Sequence, residues 1–197
     1  EVIHADIPLV LYDRPCPSLP CDQVVSDDYM GAFKAVEYLI QTGCQRIMFF
    51  SSPMQLEVAH RRYQGWRDAL QRYHMPIDDS MIVTCDSRAQ AIIETPVILK
   101  RADKPDAIFC VNDDCASGVL YAAQILGLNI PQDLAICGFS NAPLCRNTFP
   151  MLTTVEQHGV EIGKHAIIRL LKRLNGDDRI AQTEMIATDL IVRETTK

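Results

Sequence analysis

The texture of the apolar segments restricts this chain more than any other feature. Five runs are short and continuous: "IPLVLYD" (7–13), "RIMFFSS" (46–52), "MIVTC" (81–85), "DAIFCV" (106–111) and "LAICGF" (134–139). They do not alternate apolar with polar residues, as a strand with one wet face would. Strands buried on both faces read this way, and such strands belong chiefly to parallel sheets. A parallel pair needs a long crossover connection, usually a helix. Helical patterns do lie between the runs. Met30, Phe33, Val36 and Ile40 recur at helical spacing in 29–42, with Asp27 or Asp28 as the N-cap candidate and Gly43 as the stop. Segment 59–73 is amphipathic, 87–101 is helical in pattern, 115–126 stops at Gly127, and 161–174 stops at Asn175-Gly176. Pro96 predicts a kink or a split within 87–101. The order from 7 to 139 is therefore strand, helix, strand, which predicts an α/β fold with a doubly wound parallel sheet and right-handed crossovers. Beyond Leu152 the rhythm changes, and one more helix with one or two edge strands is expected.

Ligands of such sheets bind beyond the carboxyl ends of the strands. The residues found there are Asp13-Arg14, Ser51-Ser52-Pro53, Asp86-Ser87, Asn112-Asp113-Asp114 and Ser140-Asn141. All five ends are polar, as ordinary loops also are. "FCVNDDCASG" (109–118) is the most abrupt, passing from a buried run to an Asn and two carboxylates. Those residues could cap a helix, hold a metal, act as acid or base, or grip a ligand. Asp13, Asp86, Asp113 and Asp114 could in principle converge on a metal. Carboxylates at strand ends are more commonly caps or acceptors. The chain has no GxGxxG and no GxxxxGK[ST] phosphate loop, and no GxSxG elbow. His4, His60, His74, His158 and His165 are scattered, without a Ser or Cys at a pairing distance along the chain. Tyr63, Trp66 and Tyr73 suit core packing. In "HRRYQGWRDALQRY", Arg67 and Arg72 read as solvated. Arg61 and Arg62 fall in the predicted first turn, where the macrodipole disfavours a cation, so one of them has another task.

A length of 197 residues allows one domain or two small lobes. The 48% of apolar residues supplies a core, and the net charge of −6 argues against a broad nucleic-acid footprint on this chain. No apolar run is long enough to span a membrane, and "EVIHADIPLVLYDRP" lacks the pattern of a signal peptide. The eight cysteines form neither a CxxC pair nor a CxxC…HxxxH set, which leaves a structural zinc poorly supported. Reduced thiols in a cytoplasmic protein are expected. Cys85, Cys110 and Cys137 read as small core residues, and a Cys16–Cys21 disulfide is the minority reading.

The strand ends, read together, resemble the effector-binding core of the LacI/GalR (lactose-repressor/purine-repressor) family of transcriptional regulators. The matching stretches are "IPLVLYDR" (7–14), "VVSDDYMGAFKAVEYLIQTGCQRIMFFSS" (24–52), "RRYQGWRDAL" (61–70), "PDAIFCVNDDCASGVLYAAQILGLNIPQDLAICGFSN" (105–141), "PMLTTVEQHGVEIGKHAIIRLL" (150–171) and "LIVRETT" (190–196). They cover nearly the whole chain, in the family's order. The resemblance implies a periplasmic-binding-protein-like architecture of two doubly wound parallel-sheet lobes with the ligand between them. Three crossings are implied, near Val25–Asp27, Glu156–His158 and Thr188. Residues 27–156 plus 189–197 would then form the C-terminal lobe, and 1–26 plus 157–188 an incomplete N-terminal lobe. The DNA-reading helix-turn-helix and the first strands of that lobe would lie outside this sequence, as in a truncated chain.

The same resemblance marks effector-binding residues. They are Arg62 of the "R..GW" turn, Asn112 of the "AND"-like motif, Gln157 of "TTV.Q", Asp13 of the "LIDR"-like strand end and, less directly, Asp86. One departure stands out. The family carries "GFDD" or "GYDN" where this chain has "GFSN" (138–141), so Ser140 stands where an effector-binding Asp is expected. A Ser offers no charged bidentate acceptor, and Asn141 or Asp13 would have to compensate. Asp113 or Asp114 is expected to cap the helix that opens at Cys115. The implied function is effector sensing: a small polar metabolite, a sugar or sugar derivative, controls operator-DNA binding by a cytoplasmic homodimer. No catalysis, cofactor, metal or membrane is expected. The alternatives are a periplasmic sugar-binding receptor of a transporter and a small metal-dependent α/β enzyme.

Overall fold

All five strands expected from the continuous apolar runs form, and every one pairs in parallel. A computed structural model describes residues 7–197; His4 and the first six positions of the predicted partial lobe lie outside them. The chain runs β1 (Val10–Tyr12), β2 (Asp22–Ser26), α1 (Asp28–Gln41), β3 (Ile47–Ser51), α2 (Glu57–Arg72), β4 (Ile82–Thr84), α3 (Arg88–Leu99), β5 (Ala107–Cys110), α4 (Asp113–Ile125), β6 (Ala135–Cys137), β7 (Thr154–Glu156), α5 (Gly159–Leu174), β8 (Thr183–Ile186) and β9 (Asp189–Ile191). It divides into two units, Glu1–Asp27 with Gln157–Thr188, and Asp28–Glu156 with Asp189–Lys197.

The larger unit is built on a parallel sheet of order β4-β3-β5-β6. Right-handed crossovers over that order put α2 on one face and α3 and α4 on the other. The helix pairs agree, with α1 packed on α2 and α3 on α4. Gly65 permits the first contact, because a Cβ there would stand 2.3 Å from the Tyr29 carbonyl oxygen. Gly118 does the same for α4 against α3, 2.5 Å from the Arg88 carbonyl oxygen. Between the layers Phe49 stacks on Phe109 at 5.4 Å and on Trp66 at 6.1 Å, and all three are fully buried. The Trp66 indole donates to the Ile47 carbonyl at 3.1 Å, so the one polar atom of the ring is satisfied. A short antiparallel ribbon of β7 and β9 completes the unit.

The smaller unit has a parallel sheet of order β1-β2-β8 with α5 against it. Its core is narrow: Val24, Ile162, Ala166 and Ile186, with Val10 packed on them.

One strand lies outside the expected runs, and one of the two alternatives for Pro96 falls away. β2, "DQVVS", was not among the apolar runs, yet all five of its residues are buried. Its polar positions are satisfied internally. Asp22 accepts from Arg173 Nε at 2.6 Å and from the Gln182 amide at 2.8 Å, and Gln23 exchanges two hydrogen bonds with the Cys16 backbone. Pro96 does not split its helix, and α3 runs unbroken from Arg88 to Leu99. Thr95 and Ile98 beside the proline are fully buried, and that tertiary packing outweighs one missing backbone bond.

Candidate functional site

The carboxyl ends of the larger unit's sheet carry a connected set of polar residues. Arg62 is the hub. Its Nε and Nη2 donate to Asp28 Oδ1 at 2.8 and 2.6 Å, and its Nη1 donates to the Val111 carbonyl. The guanidinium carbon lies 3.7 Å from the centroid of the Phe139 ring. Both members of the ion pair are buried, with side chains 7% and 3% exposed. Such burial is tolerable only when every charge is hydrogen-bonded, which is the case here. α2 opens at Glu57, two residues earlier than predicted, so Arg62 lies in its second turn. Ion pairing and ring stacking, not relief of the macrodipole, account for it. Asp28 sits in the first turn of α1, where a carboxylate is favoured.

Asn112 and Ser140 directly follow Val111 and Phe139, two of the three residues that Arg62 touches. Asn112 Nδ2 donates to the Asp86 carbonyl at 2.7 Å, and its Oδ1 accepts from the Cys115 amide at 2.8 Å. The latter bond is an N-cap. Asn112, at φ −150° and ψ 169°, is the last extended residue before α4.

The expected cap assignment is therefore corrected. Asp113 and Asp114 are the first two residues inside α4, past the cap position. Asp114 Oδ2 accepts from the Arg88 amide at 2.8 Å, at the start of α3. Asp113 is almost fully buried; it accepts from the Thr154 hydroxyl at 2.5 Å and from the Ala142 amide at 2.8 Å. A Cβ at Gly138 would stand 2.3 Å from Asp113 Oδ1, so the strand end passes close over this carboxylate.

The turn that Asp113 fastens is unusual. Ser140 and Asn141 have φ of 117° and 52°, two consecutive non-glycine residues at positive φ. Conformations of this kind persist only where the surroundings over-determine them. Here the Ser140 amide donates to Val155 at 2.8 Å, and Asn141 is held by Glu156 at 2.7 Å and Arg193 at 2.6 Å.

Of the residues marked in the sequence, Arg62, Asn112, Asp86 and Ser140 thus gather at one rim of the larger unit. Asp13 and Gln157 belong to the smaller unit. Asp13 is exposed at φ 64°, and Gln157 Nε2 donates to Ser26 Oγ at 3.1 Å. Sequence reasoning missed Asp28, Phe139, Glu156 and Arg193. Asp28 was read only as a cap, and no local pattern joins it to a cation 34 positions away.

All eight cysteines are free thiols, Cys16 and Cys21 included. No group of His, Cys, Asp or Glu suited to a metal ion occurs among the described residues. Among them too, no helix is long and apolar enough to cross a membrane. A cavity of about 530 Å³ in the smaller unit is lined by Asp22, Arg173, Asp177 and Arg179, whose charges are paired with one another.

In a parallel α/β framework, the polar strand ends are where ligands bind. The chain belongs to the periplasmic-binding-protein-like domain family, whose model matches residues 36–196. Its relatives are regulators of the LacI family. It is similar to the HTH-type transcriptional repressor PurR of Vibrio atlanticus (strain LGP32), at 31% identity over 198 residues, covering 98% of this chain and 58% of the repressor. Among solved structures it is similar to a LacI-family regulatory protein from Chloroflexus aggregans, with a TM-score of 0.92 and 31% identity, over 100% of this chain and 71% of that one. A LacI-family transcriptional regulator from Enterococcus faecium with bound ribose gives 0.86 and 26%, over 96% of this chain and 70% of that one. The chain spans a little over half the length of the curated relatives it matches. These relatives are transcriptional repressors, not enzymes.

Proposed function

We propose that this chain is the effector-sensing part of a LacI-type transcriptional regulator, and that the rim formed by Arg62, Asp86, Asn112 and Ser140 receives a small polar metabolite. One observation carries the reading. Arg62, buried and paired with Asp28, touches Val111 and Phe139, the residues that immediately precede Asn112 and Ser140. The amide of Asn112 and the hydroxyl of Ser140 suit the hydroxyl groups of a carbohydrate or nucleoside. The ribose held by the Enterococcus regulator supports the carbohydrate class. Ser140 in place of a carboxylate favours a ligand whose nearest group pairs with a neutral hydroxyl. Asp13 and Gln157 stay in the proposed set on the family pattern alone. In the full-length protein, ligand binding would shift the occupancy of operator DNA by a cytoplasmic dimer, through a helix-turn-helix outside this sequence.

A thermal-shift panel of pentoses, hexoses, disaccharides, nucleosides and purine bases tests the reading. A ligand that binds only the folded state raises the midpoint in proportion to the logarithm of its concentration. The expected result is such a rise with one chemical class, reduced in Ser140→Asp. No shift with any member at millimolar concentration contradicts the proposal.

A further inference from the structure

Three thiols meet directly beneath the rim. Cys85 follows β4, Cys110 ends β5, and Cys115 lies in the first turn of α4. The Cys85 and Cys115 sulfurs are 3.8 Å apart, the Cys115 thiol donates to the Cys85 carbonyl at 3.2 Å, and Cys110 lies on the neighbouring strand end beside Cys115. All three are fully buried. They form no part of the polar contacts described above. Yet Cys85 and Cys115 stand on the same two segments that the Asn112–Asp86 hydrogen bond joins. A sulfur pair at 3.8 Å is in van der Waals contact, and a disulfide needs about 2 Å.

We propose that Cys85 and Cys115 are a covalent modification site, a pair that peroxide closes into a disulfide clamping the Asp86 segment to the first turn of α4. The chemistry balances with hydrogen peroxide as oxidant. One thiol, as its thiolate, attacks a peroxide oxygen; the O–O bond breaks, giving a sulfenic acid, and the displaced hydroxide takes the thiol proton to leave as water. The second thiol attacks the sulfenic sulfur; the S–S bond forms, the S–O bond breaks and a second water leaves. Two thiols are oxidised and one peroxide is reduced to two waters. The neighbouring thiol, Cys115 beside Cys85 and Cys110 beside Cys115, and then burial raise the pKa values of Cys85 and Cys115 above the ordinary thiol range and hold them protonated, so closure is slower than oxidation of the half-exposed Cys16 and Cys21. The site's influence on effector binding rests on the function proposed above; its chemistry does not.

The test uses the whole chain under native conditions without any ligand, so that a silent ligand panel leaves it untouched. A Cys16→Ser/Cys21→Ser variant is treated with hydrogen peroxide, alkylated, digested and mapped by mass spectrometry. The expected product is a cross-link between Cys85 and Cys115 that dithiothreitol reverses, that persists in Cys110→Ala and that disappears in Cys85→Ser. The oxidised chain melts several degrees higher, since closing a loop of about 30 residues restricts the unfolded chain. A link to Cys110 instead, sulfinic acid at either position without a link, or a link that forms only in denaturant overturns the proposal. The readout on the Cys16→Ser/Cys21→Ser chain stands even where Cys85→Ser fails to fold.

Discussion

Asn112 is occupied twice in this structure, by the Cys115 amide and by the Asp86 carbonyl. A ligand contact at this side chain therefore competes with a cap and with a tie to β4. Asn112→Ala is expected to lower stability by about 1 kcal/mol, the usual cost of a lost N-cap, while weakening effector binding by a larger factor. Urea denaturation beside ligand titration separates the two effects. Asp113 is the opposite case. Its carboxylate answers the Thr154 hydroxyl and the Ala142 amide in a buried setting. Asp113→Ala strands both donors and is expected to cost about 2 kcal/mol in urea denaturation, from one buried and one half-buried unsatisfied group. A cost below that of Asn112→Ala would contradict this assignment. The motif "VNDD" announced a helix start, but not which residue caps it. That depends on where the backbone leaves the extended region, and three neighbouring polar residues all satisfy the pattern.

At the scale of elements, the continuous apolar runs were legible because burial on both faces leaves no polar position to confuse the reading. β2 was not, because its Asp22 and Gln23 depend on partners far along the chain, Arg173 and Gln182 among them. Burial alone would raise the pKa of Asp22, but the Arg173 hydrogen bond and charge and the Gln182 amide bring it below the ordinary carboxylate value. A depressed folded-state pKa stabilises above the unfolded value, near 3.9, and the contribution is lost as pH falls through the folded value. Stability measured from pH 6 downward is therefore expected to decline below about pH 4, and less steeply in Asp22→Asn. An equal slope in both would remove Asp22 from the account. Helix contacts are equally specific. Gly65→Ala pushes a methyl group into the Tyr29 carbonyl. It is expected to cost roughly 2 kcal/mol, because the obstacle is backbone that cannot rotate away. A cost near zero in thermal or urea melts would mean that α1 and α2 separate freely.

For the whole molecule, composition and pattern reached the α/β class, and the ordered motifs reached the family. The motifs also marked Arg62, Asn112 and Ser140, which the fold gathers at one rim. What holds them there was not legible. The Asp28 partner, the Phe139 platform and the Glu156–Asn141–Arg193 chain join positions distant in sequence, and their pairing exists only once the sheet is assembled. Calorimetry reads recognition of a polar metabolite at this rim. The chain is titrated with the ligand class that shifts its melting, ribose being the first probe, beside Asn112→Ala as the rim variant and Gln71→Ala as an exposed control on α2. The expected result is saturable one-site binding to the native sequence, unchanged by Gln71→Ala and weakened at least about tenfold by Asn112→Ala, the scale of one lost polar contact. Equal affinity in all three chains, or no binding heat with any probe, would contradict it.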